Sequence, residues 1–155
     1  MRKLVFALML LLVGCTTPET PESVPEDFQL KYQTGATHAE WGTYALRIYP
    51  NGSAIFNKSA YNYSRKDSIL ITEKEMLDIY TVIVQNNFFQ LKEEYMDPSI
   101  MDGGYSKITV NADGKEHTVT VVNTEQEQFN KLEDKINEII LKRSSISYGI
   151  PTNVS

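Results

Sequence analysis

From Phe28 onward the apolar positions alternate between a period of two and a period near 3.6, the pattern of strands interrupted by helices. Phe28, Leu30 and Tyr32 alternate with polar neighbours, which predicts a first strand over 28–34 with these three residues on one face. Tyr44, Leu46 and Ile48 then alternate with Ala45, Arg47 and Tyr49, and Pro50-Asn51-Gly52 follows. Proline suits the second position of a type I turn and glycine the left-handed bulge, so residues 43–57 read as a hairpin with Leu46 opposite Phe56. Residues 61–71 end in Ile69-Leu70-Ile71 and read as another strand. The clearest hairpin covers 106–122. With Asp113-Gly114 as a type I′ turn, Val110 pairs with His117, Ile108 with Val119 and Ser106 with Val121, which makes one face apolar and the other polar.

Two helices interrupt these strands. Thr72 followed by Glu75 is a capping box, and Ile71 with Met76 fits a hydrophobic staple. Met76, Leu77, Tyr80, Ile83 and Val84 form the expected buried stripe, and the helix should stop near Asn86 and Asn87. Phe88, Phe89 and Leu91 read as core residues of a short extended segment. A second capping box, Thr124 with Glu127, opens a helix whose stripe is Phe129, Leu132, Ile136, Ile139 and Ile140. Lys142 and Arg143 suit the negative end of its dipole.

The N-terminus has a different pattern. Arg2 and Lys3 precede an unbroken apolar run from Leu4 to Val13, the layout of a secretory signal and too short for a bilayer span of about 20 residues. The run closes on Leu12-Val13-Gly14-Cys15, which looks like a prokaryotic lipobox, so residues 1–14 are expected to be a lipoprotein signal peptide and Cys15 the site of lipid attachment. Cys15 is the only cysteine, which excludes a disulfide within the chain. Two or three acyl chains on it would anchor stably where a single one would not. This implies a cell-membrane or outer-membrane address on the extracytoplasmic side; in a host with an outer membrane, Thr16 after the cysteine, in place of aspartate, resembles the pattern for export to it. Residues 16–27 intersperse three prolines with Glu19, Glu22, Glu26 and Asp27 and read as an extended spacer of about 3.1 Å per residue.

Losing Arg2 and Lys3 with the signal takes the net charge from −5 to about −7. That sign, with no basic stripe in the sequence, argues against nucleic acid or anionic lipid as a partner. Residues 28–143 have the length of a single domain, and the polar tail 144–155, with Gly149-Ile150-Pro151, is expected to fray.

Candidate chemistry is sparse. His38 and Glu40 beside Trp41 offer two metal donors where a zinc site needs three or four. His117 reads as a histidine at the rim of the core, and neither histidine lies near a nucleophile motif. Asp97 and Asp102, with Gly103 and Gly104, do not match the spacing of a calcium loop and read as a flexible connection running to Tyr105. Catalytic residues, metal and cofactor are therefore not expected. Tyr44, Tyr49, Tyr61, Tyr63 and Tyr105 are of a type enriched at protein interfaces, although strand and core packing accounts for most of them.

The block "NNFFQLKEEY", the segment "YSKITVNADGKEHTVTVVN", the closing helix and the "YxLxIYxNG" hairpin at 44–52 carry a resemblance. Together they resemble the small emfourin-type inhibitors of the metalloprotease protealysin, and a related group of lipoprotein domains. In that lipoprotein group the loop before the hairpin often holds a cysteine pair. Here residues 36–41 read Ala-Thr-His-Ala-Glu-Trp, so no role for such thiols carries over, and no inhibitory residue is transferred.

The expected fold is α+β, a mostly antiparallel sheet of roughly four to six strands with two amphipathic helices on one face. The expected function is a lipid-anchored, non-enzymatic module that binds a protein through the loops holding His38, Glu40 and Trp41, and Asp97, Asp102 and Tyr105. What the resemblance implies more specifically is inhibition of an extracytoplasmic metalloprotease. Two contrasting classes are an envelope hydrolase or metal enzyme, which needs a histidine to converge with acids in a pocket, and a structural lipoprotein without a specific ligand.

Overall fold

Alternation along the chain translates into one mixed sheet with two helices. The computed structural model describes residues 20–36, 42–100 and 103–144. The elements in order are β1 (Gln29–Ala36), β2 (Thr43–Ile48), β3 (Ser53–Ala60), β4 (Tyr63–Leu70), α1 (Glu73–Gln85), β5 (Glu94–Met96), β6 (Gly104–Ala112), β7 (Lys115–Val122) and α2 (Glu127–Arg143). The sheet runs β4-β3-β2-β1-β6-β7-β5. It thus has seven strands, above the four to six that the pattern implies, and all pairings are antiparallel except β5 with β7. The extra strand is three residues long, too short to show a period, and it exists through partners distant in sequence. Thr120 N–H donates to Glu93 O at 2.8 Å and Asp97 N–H to Val122 O at 3.1 Å.

Both hairpins have the expected register. Leu46 stands opposite Phe56, and Val110, Ile108 and Ser106 stand opposite His117, Val119 and Val121. Asp113 and Gly114 have φ of 52° and 69°, as a type I′ turn requires. The turn is clamped from the N-terminal side: the Asp27 carboxylate accepts from Asp113 N–H at 2.9 Å and Gly114 N–H at 2.7 Å. The Gly114 bond chiefly holds the Asp27 carboxyl below its ordinary value. Val24 also packs against the core, so ordered contacts begin upstream of Phe28, and the spacer expected over 16–27 has a docked end.

The core joins sheet and helices in one cluster. Leu30, Tyr32, Leu46, Ile48, Phe56, Ile108, Val110 and Val119 are buried from the strands, and they share a face because each is paired with another or with its neighbour across a strand. α1 contributes Met76, Ile79, Tyr80 and Ile83. Leu77 and Val84 are only half-buried, so the stripe is rotated toward Ile79 relative to the expected one. Phe28 meets Tyr80 edge to face at 5.7 Å, and Tyr80 Oη donates to Asp113 Oδ2 at 3.1 Å. From α2, Phe129, Leu132, Ile136, Ile139 and Ile140 are all buried as the spacing predicts.

Two local expectations change. α2 is capped by Gln126, whose side chain accepts from Phe129 N–H at 3.1 Å, rather than by Thr124. Glu127, the expected partner of Thr124, instead pairs with Lys131 one turn on at 2.8 Å. Asn123, at φ 55°, turns the chain before the helix. Phe88–Gln90 is a 3-10 turn rather than an extended segment, because Asn87 at φ 50° reverses the chain after α1. Phe88 is nevertheless buried, with Phe89 and Leu91 packed beside it.

The capping box of α1 forms in full, with Glu75 Oε2 accepting from Thr72 N–H at 2.9 Å and Thr72 Oγ1 from Glu75 N–H at 3.3 Å. Glu75 also pairs with Arg143 of α2 at 2.9 Å, tying the first turn of one helix to the last turn of the other. Burial works to raise the Glu75 carboxyl, but the Thr72 and Arg143 bonds outweigh it and hold the group below 4.5. A depressed carboxyl stabilises the fold above its unfolded value and loses that contribution as pH falls through the folded one. Glu75→Gln should therefore be less stable than the parent at neutral pH. The gap in urea midpoint should narrow as pH falls through the acid range; a gap unchanged by acid would contradict the pairing.

Candidate partner-binding end of the sheet

Strand pairing brings the candidate loops to one end. Gly35 on β1 stands opposite Thr43 on one side and Tyr105 on the other, and Ala36 stands opposite Gly104. The connections 37–41 and 97–103 therefore leave the sheet from adjacent points. The β3–β4 turn arrives there too, since Thr43 pairs with Ser59, and Ala60 with Tyr63. β5 ends there with Met96 opposite Val122, itself opposite Tyr105.

Apolar exposure concentrates at this end. Six large hydrophobic side chains are exposed among the described residues, and four of them, Tyr61, Tyr63, Met96 and Ile100, lie here. Tyr61 is 82% exposed at the hairpin tip, which core packing does not explain. Large exposed aromatic and methionine side chains are common anchors of protein interfaces, and here they are spread along the end, with Tyr61 and Tyr63 toward the β4 edge and Met96 at the β5 edge. In sequence Tyr61 and Tyr63 look like any strand tyrosines, so only tertiary placement separates them from Tyr44, which is buried and stacked on Phe56.

The residues singled out in the sequence divide as follows. His38, Glu40, Trp41, Asp102 and the lipid-attachment candidate Cys15 lie outside the described residues. Asp97 accepts from Ser99 Oγ at 2.6 Å and Ser99 N–H at 2.9 Å, and these bonds, the hydroxyl first, lower its carboxyl. It shapes the start of its loop. Tyr105 Oη accepts from Gln33 Nε2 at 2.9 Å, and its carbonyl accepts from Thr34 Oγ1 at 3.0 Å, so Tyr105 braces β1 against β6 at the loop end. His117 is held at the core rim: its Nε2 lies 2.9 Å from Leu91 O, and Phe88 packs on it edge to face. No group of three His, Cys, Asp or Glu able to hold a metal occurs among the described residues.

Beside this end lies a cleft of about 440 Å³ between β6, the 97–103 connection and α2. Glu133 reaches in from α2, where its Oε1 accepts from Tyr32 Oη at 2.9 Å and Ser106 Oγ at 2.5 Å. The connection is pinned by Asn123, whose Nδ2 donates to Ile100 O at 2.8 Å. A Cβ at Gly103 would stand 1.6 Å from Asn123 Oδ1, so a side chain there would have to displace the Asn123 amide that holds Ile100. A rigid sheet thus carries the exposed side chains, and the contacts found at this end position backbone and loops.

The described residues form a small α+β domain with a mostly antiparallel seven-stranded sheet and two helices, and one end of the sheet carries exposed apolar side chains. Residues 28–140 match the family model described as Domain of unknown function (DUF6438), and the chain belongs to that family. No curated protein matches the sequence.

Proposed function

We propose that the protein is an extracytoplasmic, non-enzymatic module, anchored to a membrane through lipidated Cys15 after removal of residues 1–14, that binds a protein partner through the loop end of its sheet. The observation that carries this reading is that Tyr61, Tyr63, Met96 and Ile100 are exposed along one end of the sheet, the end from which the 37–41 and 97–103 connections leave. The lipobox at Leu12–Cys15 supports the tether, and among the described residues no helix is long and apolar enough to cross a membrane.

The direction of the chain fits this role. Asp27 binds the Asp113–Gly114 turn, at the end of the sheet opposite the loop end. β1 has 8 residues between the two ends, a separation of about 25 Å at the usual strand rise. A tether preceding Asp27 would hold the loop end away from the lipid. In this reading both helices cover the sheet face that carries Tyr32 and Phe28, consistent with the Tyr32–Glu133 and Phe28–Tyr80 contacts. The specific form of the proposal is inhibition of an extracytoplasmic metalloprotease, supported by the emfourin-like hairpin at 44–52, with the loop end covering the protease cleft.

Crosslinked capture from envelope extract tests the reading. The parent chain should recover a specific partner from the membrane fraction, and Tyr61→Ala with Tyr63→Ala should weaken its binding by about 2 kcal/mol or more, roughly thirtyfold. Cys15→Ser should move the chain out of that fraction. Equal recovery by the tyrosine variant would remove the loop end as the site. Unchanged peptide hydrolysis by several thermolysin-like proteases with micromolar protein would remove the inhibitor version.

A further inference from the structure

The sheet face turned away from the core collects cations that are far apart in the chain. Lys31, Arg47, Lys66 and Lys107 alternate with buried or inward residues on β1, β2, β4 and β6, and all four are exposed. Pairing sets Lys31 directly opposite Arg47, and places Lys107 opposite Gln33, one pleat along from Lys31. Lys66 stands opposite Asn57 on β3. Lys31, Gln33, Arg47, Asn57, Lys107 and Glu116 line a shallow hollow of about 520 Å³. The other acidic residue on this face among the described residues, Glu94, belongs to β5 at the far edge.

Like charges directly opposite one another destabilise a sheet. Lys31 has one carboxylate in ion-pair range, Glu116 at 3.9 Å, with the two side chains 47% and 61% exposed. A chain of net charge −5 therefore keeps a local excess of cations inside a hollow. An occupant that excludes water there would strengthen each charge pair it makes.

We propose that this concave face binds an extended acidic segment of a partner protein. Neighbouring strands lie about 4.8 Å apart and residues two apart on a strand about 6.8 Å, and alternate side chains of an extended peptide repeat at that second spacing. Arg47 and Lys107 flank β1 with an offset of two residues and so stand about 12 Å apart, a span that carboxylates four residues apart on an extended peptide can match, and the planar Arg47 guanidinium can take one of them bidentately. The Asn57 amide, between the cations, can bond the peptide backbone. A protruding chain enters a hollow that a flat bilayer does not, which favours peptide over lipid headgroups. This inference does not depend on the loop end.

The test is fluorescence anisotropy of a labelled peptide of alternating glutamate and serine, titrated with the detergent-solubilised full chain. Saturable binding is expected that weakens as ionic strength rises. Arg47→Glu with Lys107→Glu should weaken it by about tenfold or more, with Arg47→Gln and Lys107→Gln intermediate and circular dichroism unchanged. Lys74→Glu with Lys131→Glu, the same charge change on the helices, should alter affinity by less than about twofold. The proposal is overturned if the parent does not bind the peptide, or if both glutamate pairs weaken it equally. It is also overturned if phosphatidylglycerol vesicles bind through Arg47 and Lys107 while the peptide does not.

Discussion

Phe129→Ala is expected to destabilise the domain by about 3–5 kcal/mol, the range for deleting a buried aromatic ring. Phe129 sits in the first turn of α2 with no exposed surface, alongside Leu132 and Ile136 in the same stripe, and it also lines the wall of the cleft beside the loop end. Removing the ring leaves a cavity that α2 can fill only by shifting, and its start is fixed by the Gln126 cap. Such a shift would disturb Glu133, one turn further on, and its bonds to Tyr32 and Ser106. The loss should appear as a lower urea midpoint with little change in slope. Phe89→Ala, at a half-buried position, should cost distinctly less. A loss below about 1 kcal/mol for Phe129→Ala would mean that α2 does not seal the core as described.

Gly52→Ala is expected to cost about 2–4 kcal/mol, while Gly114→Ala should cost about 1 kcal/mol. Both glycines have positive φ, 77° and 69°, in the turns of the two hairpins, and a sequence comparison would rank them alike. Their surroundings differ. A Cβ on Gly52 would lie 2.6 Å from the Ile71 carbonyl oxygen, whereas a Cβ on Gly114 meets nothing within 4 Å. The Ile71 oxygen belongs to the backbone, and Ile71 N–H donates to Gly52 O at 2.9 Å, so the β2–β3 turn and the segment entering α1 are locked together. Side-chain rotation cannot relieve the clash. Paired thermal or urea unfolding measures the contrast, and equal losses would show that the turn does not abut Ile71.

These two results bear on function through rigidity. The exposed Tyr61 and Tyr63 belong to a hairpin on β3, and β3 is held by the β2–β3 turn at its other end. If that turn loosens, the presentation of the tyrosines should loosen with it, so under the proposed function Gly52→Ala should lower stability and partner capture together.

Much of the local architecture was legible along the chain, because it depends on neighbours in sequence. The Asp113–Gly114 turn dictates its own register, the alternation on either side of it agrees, and Thr72 with Glu75 marks the start of α1 by a bond spanning three residues. The five-residue stripe of α2 follows from the 3.6 period in the same way. What the tertiary structure alone decided involves partners distant in the chain. The parallel β5 strand has too few residues for any period and forms only because β7 offers an open edge. Gln126 displaces Thr124 as cap where Asn123 turns the chain into α2. The exposed tyrosines, and the cations at positions 31, 47, 66 and 107, are ordinary residues in isolation and converge only when pleat and strand order place them. Short-range hydrogen bonding and side-chain period are written in adjacent residues; convergence across a sheet depends on which strands become neighbours, and no local signal encodes that.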